Sequence, residues 1–309
     1  MKGVIFITAC IILAVILVSW LLGERWSLMR RSTWEAAKAG GLRNLLNFRT
    51  LHMYVYLRCY KLYVRIVTKF IVPHVIRRFS TRGRKRAAGH QHSKILTPEM
   101  AQAIITNDRD IPLHDLEQII PYSMARDLVL TASPDIAVCE CPCRHARKSS
   151  CQPTEVCMLI GQPFVDFSLE HNPQNGRRIA QSEALEILRD EHERGHIHTA
   201  WFKDALLNRF YSICNCCNCC CGGIEAMVRY GIPVLASSGY IAMVDEENCA
   251  ACSTCANACS FGAVRMGETA IVNWEACMGC GVCAGQCPNK AISLERDERK
   301  GTPMDVRLM

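Results

Sequence analysis

Two copies of one cysteine spacing near the carboxy terminus constrain this chain more than any other feature. Cys249, Cys252, Cys255 and Cys259 form C-x2-C-x2-C-x3-C, and Cys277, Cys280, Cys283 and Cys287 repeat the run 28 residues later, followed by Pro288. Two intervening residues let a tight loop present successive thiolates to one metal–sulfur unit. A zinc ribbon uses four ligands, not eight at this repeat. Gly279 and Gly281 let backbone amides come close to sulfur. Short apolar stretches at 240–244, 270–272 and 291–294 are predicted to be strands pairing around the loops.

The paired runs resemble the bacterial ferredoxin domain that binds two [4Fe–4S] clusters. The resemblance implies that three cysteines of one run and the last of the other hold one cluster. Cys249, Cys252, Cys255 and Cys287 would then take the first, and Cys277, Cys280, Cys283 and Cys259 the second. Ser260 stands where the family has proline after the fourth cysteine of the first run. Proline there shapes backbone and binds no iron.

Of the 21 cysteines in 309 residues, eleven fall in the middle. Cys139, Cys141, Cys143, Cys151 and Cys157 make one group, and Cys214, Cys216, Cys217, Cys219, Cys220 and Cys221 the other. Adjacent cysteines bridge poorly, and a reducing compartment disfavours disulfides. Dense thiols resist oxidation when capped by metal. They are therefore metal-ligand candidates, for zinc or for one or more additional Fe–S clusters, with His145, His196 and His198 as non-thiolate candidates. Arg144, Arg147, Lys148, Arg177 and Arg178 would neutralise such an assembly, hold a carboxylate substrate, or lie as solvated surface charge. Over about 115–295 the order C-x-C-R, P-x-x-V-C, R-R-I-x-x-x-E-A-L-x-I-L, C-N-C-C-x-C-C and paired runs is similar to a group of 4Fe–4S binding proteins of anaerobic bacteria. That resemblance implies no particular reaction.

Helices are predicted from Pro98 through Ile105, within 114–131, over 183–194 with Ser182 as N-cap, and from Ile224 to Tyr230 before Gly231. Residues 197–202 are predicted as a short strand. The first turn at Ile224 follows the 214–221 cysteines directly, so its positive dipole end would face whatever they bind.

The amino-terminal third has a different character. Residues 1–96 hold 18 Lys/Arg against two acids, Glu24 and Glu35, while residues 97–309 hold 18 against 27. Residues 4–22 carry no charge, and such a helix spans about 28 Å, near the roughly 30 Å hydrocarbon core. A transmembrane anchor is expected; a cleaved signal peptide would want a stronger positive start and an A-x-A site. Arg25, Arg30, Arg31, Lys38, Arg43 and Arg49 follow the span, which predicts the amino terminus outside and the cluster domains cytoplasmic. Residues 51–79 read as a basic amphipathic helix for an anionic leaflet or for a partner subunit, kinked at Pro73, and 81–94 as a flexible linker.

The expected fold class is α+β: an anchor (1–23), a basic juxtamembrane helix and linker (24–96), a mainly helical cysteine-rich middle domain (97–238), a two-cluster ferredoxin-like domain (239–296) and a tail (297–309). No dinucleotide fingerprint, Walker A loop or C-x-x-C-H haem site is present. The expected function is a membrane-tethered iron–sulfur electron carrier in the cytoplasmic (inner) membrane with redox-protein partners and no nucleic-acid partner. The alternative is a reductase whose substrate reacts at an open-site cluster in the middle domain.

Overall fold

The computed structural model describes residues 30–39, 48–114 and 127–309, with isolated positions 11, 12, 14, 15, 18, 27, 28 and 119. Helix α1 spans Arg31–Lys38, α2 Phe48–Arg58 and α3 Tyr60–Ile66, continued by a π-helical turn Val67–Ile71 and the short helix Val72–His74. Then come α4 Thr81–His90, β1 Gln91–Leu96 and α5 Pro98–Ile105, the last opened by the Thr97 side chain accepting from Met100 N–H. Strands β2 Ile111–His114, β3 Asp127–Leu130, β4 Ile136–Glu140 and β5 Glu155–Ile160 follow. Next are α6 Phe164–His171, β6 Gly176–Arg178, α7 Gln181–Glu193, β7 Ile197–Lys203 and β8 Arg209–Cys216, then α8 Gly222–Tyr230 and β9 Leu235–Ala236.

These strands form a nine-stranded sheet whose main path is β6-β4-β5-β8-β7-β1-β9, with β3 joining β2 and β8 off that path. Pairing is antiparallel except for β1–β9 and β3–β8. Successive residues face opposite sides, and both sides are covered. Leu96, Ala200, Phe202 and Ile213 pack with Met100, Ile104 and Leu188, closed by Met304 and Val306 of the tail. Ile95, Ile197, Trp201 and Tyr211 pack on the other side with Met53, Tyr54, Tyr56, Leu57 and Phe167.

Three expectations are corrected. The middle region is not mainly helical: strands buried on both faces read as continuous apolar runs rather than alternation, so their period is hidden. In β4 the run Ile136, Ala137, Val138 and Cys139 is buried throughout. Within 114–131 the described ends are β2 and β3, whereas residues 115–118 and 120–126 lie outside the described residues. The expected N-terminal transmembrane helix at 4–22 falls mostly outside the described residues, and among those described no helix is long and apolar enough to cross a membrane. The single-pass arrangement in the cytoplasmic membrane is therefore unsupported. Third, 81–94 is helix α4 and strand β1 rather than linker; the 51–79 segment is helical through His74 and buries Tyr56 and Leu57 on its own chain while Leu62, Ile66 and Phe70 stay exposed. Smaller departures concern α7, capped at Ala180 rather than Ser182, and α8, which begins at Gly222 rather than Ile224 and ends at Gly231 (φ 62°).

The carboxy-terminal cysteine runs sit between small sheets. Strand β10 Tyr240–Val244 pairs antiparallel with β13 Ile292–Arg296, and β11 Val264–Met266 with β12 Ala270–Val272. Helices α9 Thr254–Ala258 and α10 Val282–Gly285 carry cysteines of the two runs. This module is fastened to the large sheet. Ser238 Oγ donates to Gly279 O at 2.7 Å, and Gln286 Nε2 donates to Glu193 O at 2.9 Å.

Lys94 on β1 is 1% exposed. Burial, with the Arg296 cation adding to it, pushes its ammonium down to about 7 from 10.5. The unfolded chain then binds more protons than the fold between those values, so stability should rise with pH from about 7 towards 10.5. The contribution is at most about 1.4 kcal/mol per unit. Lys94→Met should flatten that rise relative to wild type in chemical denaturation at stepped pH; parallel curves would refute it.

Candidate metal centres

The eight carboxy-terminal cysteines divide between two small cavities of about 20 Å³ each. Cys249, Cys252, Cys255 and Cys287 line the outer one, and Cys259, Cys277, Cys280 and Cys283 the inner one. The fourth cysteine of each run receives a backbone N–H from four residues on: Ala263 to Cys259 Sγ and Ala291 to Cys287 Sγ, both at 3.3 Å. Burial pushes Cys283 up to about 12 and raises Cys280 as well. Thiolates there need a nearby cation to offset lost hydration. Four thiols around a small, mostly apolar cavity, with amides donating to sulfur, are the donor set of an iron–sulfur cluster.

A larger cavity of about 170 Å³ lies against the big sheet, lined by Cys141, Cys143, Cys157, Cys214, Cys216, Cys217 and Cys221. Cys157 comes from β5, Cys214 and Cys216 from β8, and Cys217 and Cys221 from the β8–α8 loop. Cys143 sits in the helical turn Pro142–His145. Its Sγ accepts from Gly222 N–H at 3.5 Å, so the start of α8 does face these thiols. Neighbouring thiols raise one another: Cys143 pushes Cys141 up to about 12, while Cys141 and Cys214 raise Cys157. A side chain at Gly223 would meet the Trp201 ring at 2.7 Å, which keeps that loop close to the sheet.

Cys139, Cys151, Cys219 and Cys220 do not line that cavity, and Cys217 stands between it and a second group. Cys139 faces Ser168 Oγ at 3.9 Å beside a cavity of about 70 Å³, and burial pushes it up to about 11. Cys151, Cys217 and Cys219 bring their sulfurs within 4.8 Å of one another, and Cys220 Sγ lies 3.2 Å from Cys219 Sγ. Of the histidines, His145 pairs with Glu140. His198 bonds Asn215 Oδ1 at 2.6 Å and burial pushes it down to about 4. His196 Nε2 is 3.6 Å from Cys151 Sγ. Arg177 and Arg178 pair with surface carboxylates, Arg147 with Glu225, and Lys148 is exposed. Arg144 is fully buried against Glu191.

Sequence reasoning passed over the wall opposite the thiols. Tyr56 and Tyr211 share a hydroxyl–hydroxyl bond of 2.7 Å, and Lys203 Nζ lies 4.8 Å over the Tyr56 ring and 3.4 Å from Tyr63 Oη. Burial pushes Lys203 down to about 8. The tyrosines of 54–63 stood out only as aromatics beside basic residues; strand pairing alone brings Tyr211 to them. Met278, Val282 and Cys280 of the inner small cavity belong to the apolar cluster that includes Trp201, Cys216 and Cys221. Continuous packing therefore links the two sites.

Gly279 sits at φ 63°, where a Cβ would stand 2.2 Å from Tyr240 O. Gly279→Ala should cost about 2–4 kcal/mol and shed iron from the inner quartet. Gly262→Ala, at φ 61° with nothing within 4 Å, should cost only about 1 kcal/mol of backbone strain. Anaerobic denaturation with iron analysis checks both, and equal behaviour of the two variants would contradict the packing argument.

A family model for the 4Fe-4S binding domain matches residues 270–293, which include Cys277, Cys280, Cys283 and Cys287. Neither a curated protein nor a solved structure matches the chain. The carboxy-terminal end thus carries a 4Fe–4S binding domain, and with its abundant thiols the chain has the character of an iron–sulfur electron-transfer protein.

Proposed function

We propose that the chain relays electrons through two [4Fe–4S] clusters, one on each carboxy-terminal quartet, to or from a further metal–sulfur centre in the thiol-lined cavity. When bound, such clusters supply one-electron transfer at potentials set by their surroundings. The observation that carries this reading is that Met278 and Val282 belong to the same apolar cluster as Trp201, Cys216 and Cys221. Cys252 of the outer quartet is exposed, which suits contact with a redox-protein partner. The N–H groups of Ala263, Ala291 and Gly222 reach cysteine sulfurs and would favour the reduced, more negative state.

A second reading is a reductase acting on a small molecule. It is favoured by the size of the large cavity, about 170 Å³ against about 20 Å³, and by the Tyr56–Tyr211 pair that lines it, with Lys203 behind the Tyr56 ring. Those groups would hold protons beside a bound molecule.

The test is iron and acid-labile sulfide per chain on anaerobically prepared protein. Two carboxy-terminal clusters contribute ~8 irons, and the cavity centre should raise the total above that. Cys143→Ser/Cys221→Ser should bring it back to about eight and leave the dithionite-reduced EPR signal of the carboxy-terminal pair. A wild-type total of about eight would confine redox chemistry to the carboxy-terminal module. A total near four would end the two-cluster assignment. Displacement of the cavity signal by added small molecules would favour the reductase.

A further inference from the structure

We infer that Cys151, Cys217, Cys219 and His196 form a separate single-ion site, tetrahedral and suited to zinc, next to the thiol-lined cavity. The three sulfurs lie within 4.8 Å of one another. Zn–S bonds of about 2.3 Å in a tetrahedron place sulfurs about 3.8 Å apart, so a small contraction brings the three thiols to that spacing, and His196, already beside Cys151, would be drawn in as the fourth ligand. Among the described residues no other three cysteine, histidine or carboxylate ligand atoms stand so close together. The carboxy-terminal quartets are wider, as ligands at separate corners of a cluster must be.

The fourth ligand is oriented by a buried chain of contacts. His196 Nε2 faces Cys151 Sγ at 3.6 Å, while Nδ1 lies 2.7 Å from Glu191 Oε2. Glu191 is 1% exposed and is held in turn by Arg144 Nη2 at 2.6 Å, with Arg144 itself 0% exposed. A carboxylate that fixes one imidazole nitrogen leaves the other free for a metal and raises its basicity. Arg144 Nη2 also donates to Asn215 O on β8 at 3.3 Å, so the support reaches the strand from which Cys217 follows.

The site joins three places in the chain: the segment before β5 (Cys151), the residue before β7 (His196) and the loop after β8 (Cys217 and Cys219). An ion here would fix the loop that carries Cys216 and Cys221 to the cavity. It would also account for cysteines that the cavity centre does not use, leaving Cys141, Cys143, Cys157, Cys214, Cys216 and Cys221 for that centre. Cys220 Sγ, 3.2 Å from Cys219 Sγ, is the competing fourth donor; Arg147 Nε holds its carbonyl at 3.2 Å, whereas Glu191 bonds the His196 ring itself.

The inference stands or falls separately from the iron count. Full-length protein prepared anaerobically with zinc in the medium should hold about one zinc per chain. Its zinc-edge X-ray absorption should show three sulfurs at about 2.3 Å and one nitrogen at about 2.0–2.1 Å. Cys219→Ser, at an exposed position, should weaken zinc retention at least tenfold and leave iron and sulfide unchanged. Absence of zinc from wild type, a four-sulfur shell, or iron lost with Cys219→Ser would each overturn the assignment.

Discussion

Thiolates in a dry interior set the terms for the rest of this molecule. Each needs compensating charge or donors, because burial alone holds a thiol protonated. Cys139 and Cys283 are pushed up to about 11 and about 12. The fold answers with grouping: cysteines brought together from distant strands share cavities, and backbone N–H groups from Ala263, Ala291 and Gly222 reach their sulfurs. Metal binding in such places contributes to folding free energy, since the unfolded chain presents no assembled site.

Keeping the cavities dry is the work of the sheet and its coverings. Strands β7 and β8 place Thr199 opposite Cys214 and Ile197 opposite Cys216, so the cysteine-bearing edge is continuous with the core. The helices from Phe48 to His74 close the cavity from above through Tyr56, Tyr63 and Val67. The carboxy-terminal module packs beside it through Met278 and Val282, which belong to the same apolar cluster as Trp201 and Cys216. Its loop at Met278–Gly279 is tied to Ser238 by N–H and hydroxyl donors, and the tail buries Met304 and Val306 in the opposite core. A basic segment that by composition suits an anionic surface is here a cover for thiols.

Legibility in the sequence followed range. Local spacing marked the two carboxy-terminal runs, because C-x2-C loops are short-range geometry; the exchange of fourth cysteines between the quartets that line the two small cavities was implied only by the resemblance to the ferredoxin domain. Helix α5, strand β7 and the stop at Gly231 were equally readable from caps, apolar runs and glycine. The nine-stranded sheet was not, since strands covered on both faces lose their alternation. The middle cysteines could be named as metal-ligand candidates but not divided: Cys139 stands beside Ser168, and Cys151 joins Cys217 and Cys219 only through tertiary pairing.

By itself the sequence determined that this chain carries thiolate metal chemistry, where its repeated loops lie, and that its charge is divided between a basic start and an acidic remainder. Tertiary structure alone decided which middle thiols share a cavity, that Tyr56 meets Tyr211, and that Glu191 aims His196 at Cys151. The reason is physical. Ligand spacing within a loop is set by a few backbone dihedrals, whereas contacts across tens of residues depend on strand register, and a shift of one residue there would turn every cysteine to the opposite face.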